Sequence, residues 1–384
     1  MKDKEMSWSI KMADTVLRRY LDLSDKWDHE YGIVFKGIED VWHHTGDCKY
    51  IDYLLFNIGN RIGENGEIAG YELEDYSVDH INSGRLLFPL FEETKEERFK
   101  KAAFLLRQQL ETHPRTSDGI FWHKQIFPYQ GFLDGVYMGD VFYAQFAKVF
   151  NDPALFDDVT NQILLFAKHN KDEKTGLFYQ GYDEKRQQIW ANADTGCSSS
   201  FWGRAIGWYC VGIVDILDYL PEEHAKRQKL IEVLSGLLSA IVTYQEPETG
   251  VWYQVVDQGG REGNYLESSS SCMYVYALAK AIRQSYVSQH FLPALKQGYN
   301  GILNTFIDED ERGIVNIHQT CQTAGLGITA NRDGSFEYYI SEPIVSNDFK
   351  GIGTFIMASV QVEKLIVQMD DNENESVNIT LSKN

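Results

Sequence analysis

Asp118-Gly-Ile-Phe-Trp-His-Lys124, Thr175-Gly-Leu-Phe-Tyr-Gln-Gly-Tyr-Asp183, Thr249-Gly-Val-Trp-Tyr-Gln-Val-Val-Asp257 and Arg312-Gly-Ile-Val-Asn-Ile-His-Gln319 are four copies of one short pattern. A glycine follows a polar residue, two or three apolar or aromatic residues come next, and a polar set ends the piece. The glycines, Gly119, Gly176, Gly250 and Gly313, are spaced by 57, 74 and 63 residues, and Asn65-Gly-Glu-Ile68 is a looser copy. Between the copies, apolar residues recur at three-four spacing, the signature of amphipathic helices. Such segments run over Met12 to Leu21, Lys101 to Leu110, Phe156 to Lys168, Arg204 to Leu220 and Ala225 to Tyr244, then over Ser271 to Ser285, Phe291 to Phe306 and Phe349 to Met369. A repeat holding two helices and a short extended piece is a helical hairpin. Six hairpins fill the 384 residues. Closed into a ring they make an all-α (α/α)6 barrel, which buries every apolar face against a neighbour and leaves no end to cap. The extended pieces then gather at one mouth and line a cleft. An open solenoid is the alternative, but neither end carries an obvious polar cap repeat. Residues 1–369 are read as one domain, and the acidic segment 370–384 as a frayed tail.

The formal charge of −20 argues against nucleic acid or an anionic membrane surface as partner. It leaves room for an anionic small substrate, because one Arg or Lys can hold a carboxylate inside an acidic protein. The first thirty residues contain no apolar run suited to a signal peptide, and no stretch reads as a membrane span. The five scattered cysteines, Cys48, Cys197, Cys210, Cys272 and Cys321, form neither a disulfide framework nor metal-spaced pairs, so a reducing cytoplasm is expected. No nucleotide-binding glycine loop, zinc motif or serine-hydrolase elbow occurs, so neither a cofactor nor a metal is expected. The pair His43-His44 diverges on a helix and reads as surface or structural.

Four segments place polar residues in apolar company. Asp134 is flanked by Phe132, Leu133, Tyr137 and Met138. Burial disfavours a charged carboxylate, so such an acid can keep a proton near neutral pH, as a general acid must. The bland reading is a satisfied structural acid or one at a helix N-terminus. Phe121, Trp122, Phe127 and Tyr129 read as a wall for a flat polar ligand. Asp79 and His80 open an apolar helix, where Asp79 is either an N-cap or a carboxylate shown to the cleft. Arg204 lies between Trp202 and Trp208 with no acidic neighbour, and either clamps a carboxylate or pairs with a structural acid elsewhere. The segment Gly334 to Gly353 either borders the cleft or closes the ring.

These segments together resemble glycoside hydrolase family 105, the unsaturated rhamnogalacturonyl hydrolases, close relatives of the family 88 unsaturated glucuronyl hydrolases. The likeness runs from about Trp8 to Gln368. It is carried by Val78-Asp-His-Ile-Asn-Ser-Gly-Arg85, Phe121-Trp-His-Lys124, Phe132-Leu-Asp-Gly-Val-Tyr-Met138, Phe201-Trp-Gly-Arg-Ala-Ile-Gly-Trp208 and Phe336-Glu-Tyr-Tyr-Ile-Ser-Glu-Pro343. The resemblance implies an (α/α)6 barrel and, as substrate, an anionic oligosaccharide ending in a 4,5-unsaturated uronic acid, the product of a polysaccharide lyase acting on pectin or a related polymer. It implies hydration of the enol ether: an acid protonates C4, water adds at C5, and the hemiketal opens to release the aglycone, without metal or cofactor. Asp134 then matches the general acid/base and Asp79 the second acid. His123, Lys124, Met138, Trp202, Arg204 and Trp208 match residues lining the sugar pocket. Two positions depart from the family pattern. Gln180 replaces a frequent His in Tyr179-Gln-Gly-Tyr-Asp183, losing proton exchange but keeping hydrogen bonding. Phe132 replaces a Trp and removes an indole donor. A catalytically weakened sugar-binding protein, and an ordinary inverting glycosidase or epimerase on the same barrel, are the alternatives.

Overall fold

The computed structural model describes the backbone of residues 7–381 and the side chains of residues 7–371. Its helices are α1 (Trp8–Arg19), α2 (His29–Thr45), α3 (Cys48–Gly59), α4 (Leu87–Thr94), α5 (Glu97–Thr112), α6 (Val141–Val149) and α7 (Leu155–His169). They continue with α8 (Gly203–Tyr219), α9 (Arg227–Thr243), α10 (Ser268–Arg283), α11 (Leu292–Phe306), the short α12 (Phe336–Ser341) and α13 (Phe349–Leu381). A 3-10 stretch, Val78–Leu86, runs into α4, and a π-helical turn, Val136–Asp140, runs into α6.

Two rings form. The inner one runs α2, the Val78–Leu86 stretch with α4, the Val136–Asp140 turn with α6, α8, α10, α13 and back to α2. The outer helices α3, α5, α7, α9, α11 and α1 each pack mainly on one inner element, and α1, α5 and α9 also touch the next. The ring is therefore closed: the last inner helix packs on the first, and on α1, which rules out the open solenoid. Residue patterns explain the sorting. In α8 every residue from Gly203 to Leu217 is buried, and in α10 every residue from Ser268 to Ile282. Outer helix α9 buries only a stripe, Leu230, Leu234, Leu237, Leu238, Ala240 and Ile241, one face of a 3.6-residue helix. The closing seam depends on a small residue, since a Cβ at Gly353 would lie 2.6 Å from the Ile33 carbonyl oxygen.

The repeat glycines are turn residues. Gly66, Gly119, Gly176, Gly250 and Gly313 all have positive φ, between 72° and 113°, a region costly for any residue with a Cβ. The Gly176 N–H donates to the Asp172 carbonyl (2.8 Å), that of Gly250 to Glu246 (2.8 Å) and that of Gly313 to Asp310 (2.9 Å). The acidic side chain that starts each turn accepts a backbone N–H inside it: Thr175 on Asp172 (2.8 Å), Thr249 on Glu246 (2.6 Å), Ile314 on Asp310 (2.9 Å). One turn chemistry thus follows α7, α9 and α11 and leads into the next extended piece. These pieces form three two-stranded antiparallel sheets, β1 (Gln130–Phe132) with β2 (Gly181–Asp183), β3 (Ile307–Glu309) with β4 (Val315–Ile317), and β5 (Thr320–Cys321) with β6 (Ile344–Val345).

A graded result follows for two of these glycines. Gly250→Ala adds a Cβ 2.5 Å from the Gln297 carbonyl oxygen at φ +80°, whereas at Gly313 (φ +72°) the nearest atom is a Glu309 carboxylate oxygen 3.6 Å away. Urea unfolding should show Gly313→Ala costing about 1 kcal/mol and Gly250→Ala about 2–3 kcal/mol.

The C-terminal part of the chain is one long helix. Residues Phe349–Asp371 are long and apolar enough to cross a membrane by composition, yet 67% of that window is buried in the ring, which is why it is apolar. The segment from Asp370 continues α13 to Leu381, and residues 382–384 lie outside the described residues.

Candidate active site

The N-terminal ends of the inner elements converge on one cleft of about 830 Å3. Five of the six contribute residues from their first turn: His29 and Glu30 from α2, Asp79 from the 3-10 stretch, Asp134 from the turn before α6, Arg204 from α8 and Lys350 from α13. Helix N-termini carry partial positive charge, so their convergence favours an anion in the cleft. All nine residues singled out from the sequence line it: Asp79, His123, Lys124, Asp134, Met138, Gln180, Trp202, Arg204 and Trp208.

The two carboxylates have opposite surroundings. Asp79 receives Lys124 Nζ at 2.7 Å and His123 Nε2 at 3.2 Å. Burial opposes its ionisation, but His123, Lys124 and His29 outweigh it and hold the carboxyl well below the usual range. Asp79 is thus an ionised, paired group and not a backbone cap. Asp134 opens the inner helix, is half-buried and lines the cleft. Its Oδ2 is buried with no hydrogen-bond partner among the described residues. Burial pushes its pKa up to about 6, the Asp79 charge adds to this, and His123, its own backbone N–H and Arg204 pull the other way. Two carboxyls with separated proton affinities in one cleft are the pattern of an acid and its ionised companion.

Arg204 is 1% exposed. Its Nη2 donates to the Cys321 carbonyl (2.6 Å) and its Nη1 reaches Ser269 Oγ (3.4 Å). No carboxylate lies within salt-bridge distance among the described residues; the buried Glu267 acts on it only at one remove, through Ser269. Lys124 is taken by Asp79, and Lys350 pairs with Glu30 and with Asp348 at 3.0 Å. Arg204 is therefore the cation of the cleft floor. Arg332, on the loop after β5, is a rim cation that the sequence reading missed.

The aromatic wall differs from the expected one. Phe127 lines the cleft, but Trp122 and Tyr129 pack on each other (4.8 Å) away from it, and Phe121 is buried behind. The wall is instead Phe127, Phe132 and Leu326, backed by Trp190. Phe132 packs on His123 (4.8 Å) and edge-on to Trp190 (6.0 Å). Trp208 already stacks on Tyr137 (4.4 Å) and Trp202 on Tyr339 (5.8 Å), so each has one ring face covered. Gln180 is 2% exposed and its Oε1 accepts from Tyr339 Oη at 2.6 Å. That bond fixes the amide orientation and leaves the Nε2 donor for the cleft. It also settles the segment Gly334 to Gly353: Tyr339 buttresses the cleft from behind, and Lys350 lines it.

His29, Glu30 and Lys350 were also missed. Their signal was positional, since they occupy the first turns of α2 and α13, as Asp79, Asp134 and Arg204 do in their own elements. His43 and His44 lie away from the cleft and face Glu39 and Glu363 (both 3.4 Å), as a surface reading expects.

Residues 1–366 match the family model described as Glycosyl Hydrolase Family 88. The solved structure of a family 105 glycoside hydrolase from C. acetobutylicum ATCC 824 is 45% identical, covers 94% of this chain and 100% of that one, and superposes with a TM-score of 0.92. The unsaturated rhamnogalacturonyl hydrolase of Bacillus subtilis (strain 168) is 26% identical over 282 residues, 72% of this chain and 76% of that protein. The unsaturated glucuronyl hydrolase of Bacillus sp. GL1, at 14% identity, shares the fold with a TM-score of 0.66 over 92% of this chain and 95% of that one.

Proposed function

Because the chain belongs to Glycosyl Hydrolase Family 88 and is a close relative of a family 105 hydrolase, we propose that it releases a 4,5-unsaturated uronic acid from the non-reducing end of short oligosaccharides, with rhamnogalacturonan fragments as the leading substrate class. One observation carries the reading: Asp134, with a pKa of about 6, shares a cleft with an ionised Asp79 and an Arg204 that lacks a carboxylate partner. Protonated Asp134 donates to C4 of the enol ether. Positive charge develops at C5 next to the ring oxygen, and the ionised carboxylates stabilise it. Asp134, now ionised, accepts a proton from the water that adds at C5, and the hemiketal opens to free the aglycone. Arg204 holds the uronate carboxylate, and the Gln180 Nε2 donor meets a hydroxyl or the incoming water.

The name of the Bacillus subtilis relative supports the rhamnogalacturonyl preference. A cytoplasmic location, where small pectin-derived products would be met, accords with five free cysteines, four of them buried.

An unsaturated galacturonyl-rhamnose disaccharide should lose its conjugated ultraviolet absorbance on mixing with the protein, and the saturated disaccharide should stay intact. Persistence of the absorbance with both galacturonyl and glucuronyl substrates would sink the proposal. Arg204→Met should lower kcat/KM about 100-fold, since truncating one side of a desolvated charge pair costs about 2–5 kcal/mol. Arg332→Met, at the rim, should cost only a few-fold. A larger loss at Arg332 would move the carboxylate site to the loop.

A further inference from the structure

A second polar cavity, of about 410 Å3, lies inside the ring toward its opposite end. Its walls come from the later turns of α2, α8, α10 and α13, with Arg85 from the end of the 3-10 stretch. On α13, Lys364 stands roughly 21 Å beyond the cleft residue Lys350 at 1.5 Å per residue. The two cavities share no lining residue.

Charge pairing in this cavity is incomplete. Lys36 takes Asp40 (2.6 Å) and, outside the cavity lining, Glu39 (2.9 Å). Asp215 takes Arg85 (2.8 Å) and Lys280 (2.6 Å), and Asp218 also takes Lys280 (2.6 Å). Two cations remain. Arg283 donates only to Gln361 Oε1, at 3.0 and 3.3 Å, and has no carboxylate within salt-bridge distance among the described residues. Lys364 likewise has none among them. Arg85, 3% exposed, adds two donors, because its Nε and Nη1 have no hydrogen-bond partner. The Tyr137 ring, 5.0 Å away, covers the guanidinium face and accepts no in-plane N–H. Five cations against three carboxylates thus line one cavity of a protein whose total charge is −20.

Helix ends explain part of this excess, since α10 stops at Arg283 and cations suit helix C-termini. They do not explain Lys364, because α13 runs on to Leu381. Burial and the charges of Arg283, Lys36 and Lys280 press the Lys364 ammonium below the ordinary lysine range, against the pull of Asp40. A group held at such a cost calls for an anionic partner.

We propose that this cavity binds a small tetrahedral oxyanion of the phosphate or sulfate class, held between Arg283, Lys364 and the free N–H groups of Arg85. Arg283 and Lys364 are both only partly buried, so the site opens to solvent at the far mouth. The ion would cross-link α10, α13 and the 3-10 stretch and complete the charge pairing.

The test is calorimetric titration of the full chain with inorganic phosphate at constant ionic strength. Saturable one-site binding is expected. Arg283→Gln and Lys364→Met should each weaken it about tenfold or more, the value of one charge-assisted hydrogen bond, with disaccharide hydrolysis unchanged. Arg204→Met, in the cleft, should leave phosphate binding intact. The proposal is overturned if wild-type protein shows no saturable binding, if both far-cavity variants bind equally well, or if only Arg204→Met abolishes it. Should either variant fail to fold, a selenate soak of wild-type crystals decides instead: an anomalous peak between Arg283 and Lys364 supports the site, and its absence overturns it.

Discussion

Asp134→Asn should lower kcat about 10²–10⁴-fold, the usual worth of a positioned general acid, with KM little changed. The amide keeps the shape of the carboxyl and cannot deliver a proton to C4. The same substitution should leave the fold intact at neutral pH and even stabilise it. Native Asp134 holds its proton to about pH 6, against an ordinary value of 3.8. Between those values the native state binds more protons than the unfolded chain, so stability falls as pH rises through that window. The full shift corresponds to at most about 3 kcal/mol at neutral pH, less in proportion to the solvent that reaches the cleft side. An asparagine does not carry this penalty. The wild-type rate should accordingly decline above about pH 6 as the proton is lost, and the Asn variant should lack that limb. Near-normal turnover in the folded variant would remove Asp134 from the chemistry.

Asp215→Asn should be the most destabilising of the conservative changes, at about 3–5 kcal/mol in urea unfolding at neutral pH. Asp215 is 1% exposed and joins α8 to two other inner elements through Arg85 and Lys280. Its Oδ1 also accepts from Tyr276 Oη at 2.6 Å. Burial opposes its charge, but Lys280 and Arg85 outweigh it and hold the carboxyl far below the usual range. An amide of the same shape leaves the buried Arg85 without a counter-charge and Lys280 with Asp218 alone. The loss should appear as a lower midpoint with an unchanged slope, and the cleft chemistry should survive wherever the protein stays folded. A cost below about 1 kcal/mol would show that water enters this end of the barrel freely enough to replace the carboxylate.

Much of the architecture could be read from five glycines. Their positive φ angles tie each copy to one turn, and a turn that recurs between amphipathic helices implies stacked hairpins. The helices read from periodicity match α1, α5 and α7–α11 to within a few residues at most ends; the outer ones among them bury a single stripe, as α9 does. The missing pieces have physical causes. Residues Val78–Leu86 were expected to be α-helical from the apolar run after Asp79, but form 3-10 turns. Residues Val136–Asp140 form a π turn, and neither geometry has a separate sequence signature. Periodicity does not mark α2, α3, α4 or α6; α2 and α6 are buried on several faces, which blurs the period. In the cleft, acids and bases in apolar company were found, because burial leaves that mark in the sequence. His29, Glu30 and Lys350 carry no such mark. Their place follows from the ring itself, which turns the first residues of every inner helix toward the same mouth.

The central claim is that the reaction begins by protonating the C4–C5 double bond and not by displacement at the anomeric carbon. Stopped-flow mixing of the protein with an unsaturated disaccharide tests it, with the ultraviolet absorbance of the double bond and the release of the aglycone followed in parallel. Hydration predicts that the absorbance falls no later than the aglycone appears, and that Asp134→Asn suppresses both signals together. Aglycone release that runs ahead of the absorbance change, with the double bond still present in the first free sugar, would contradict it.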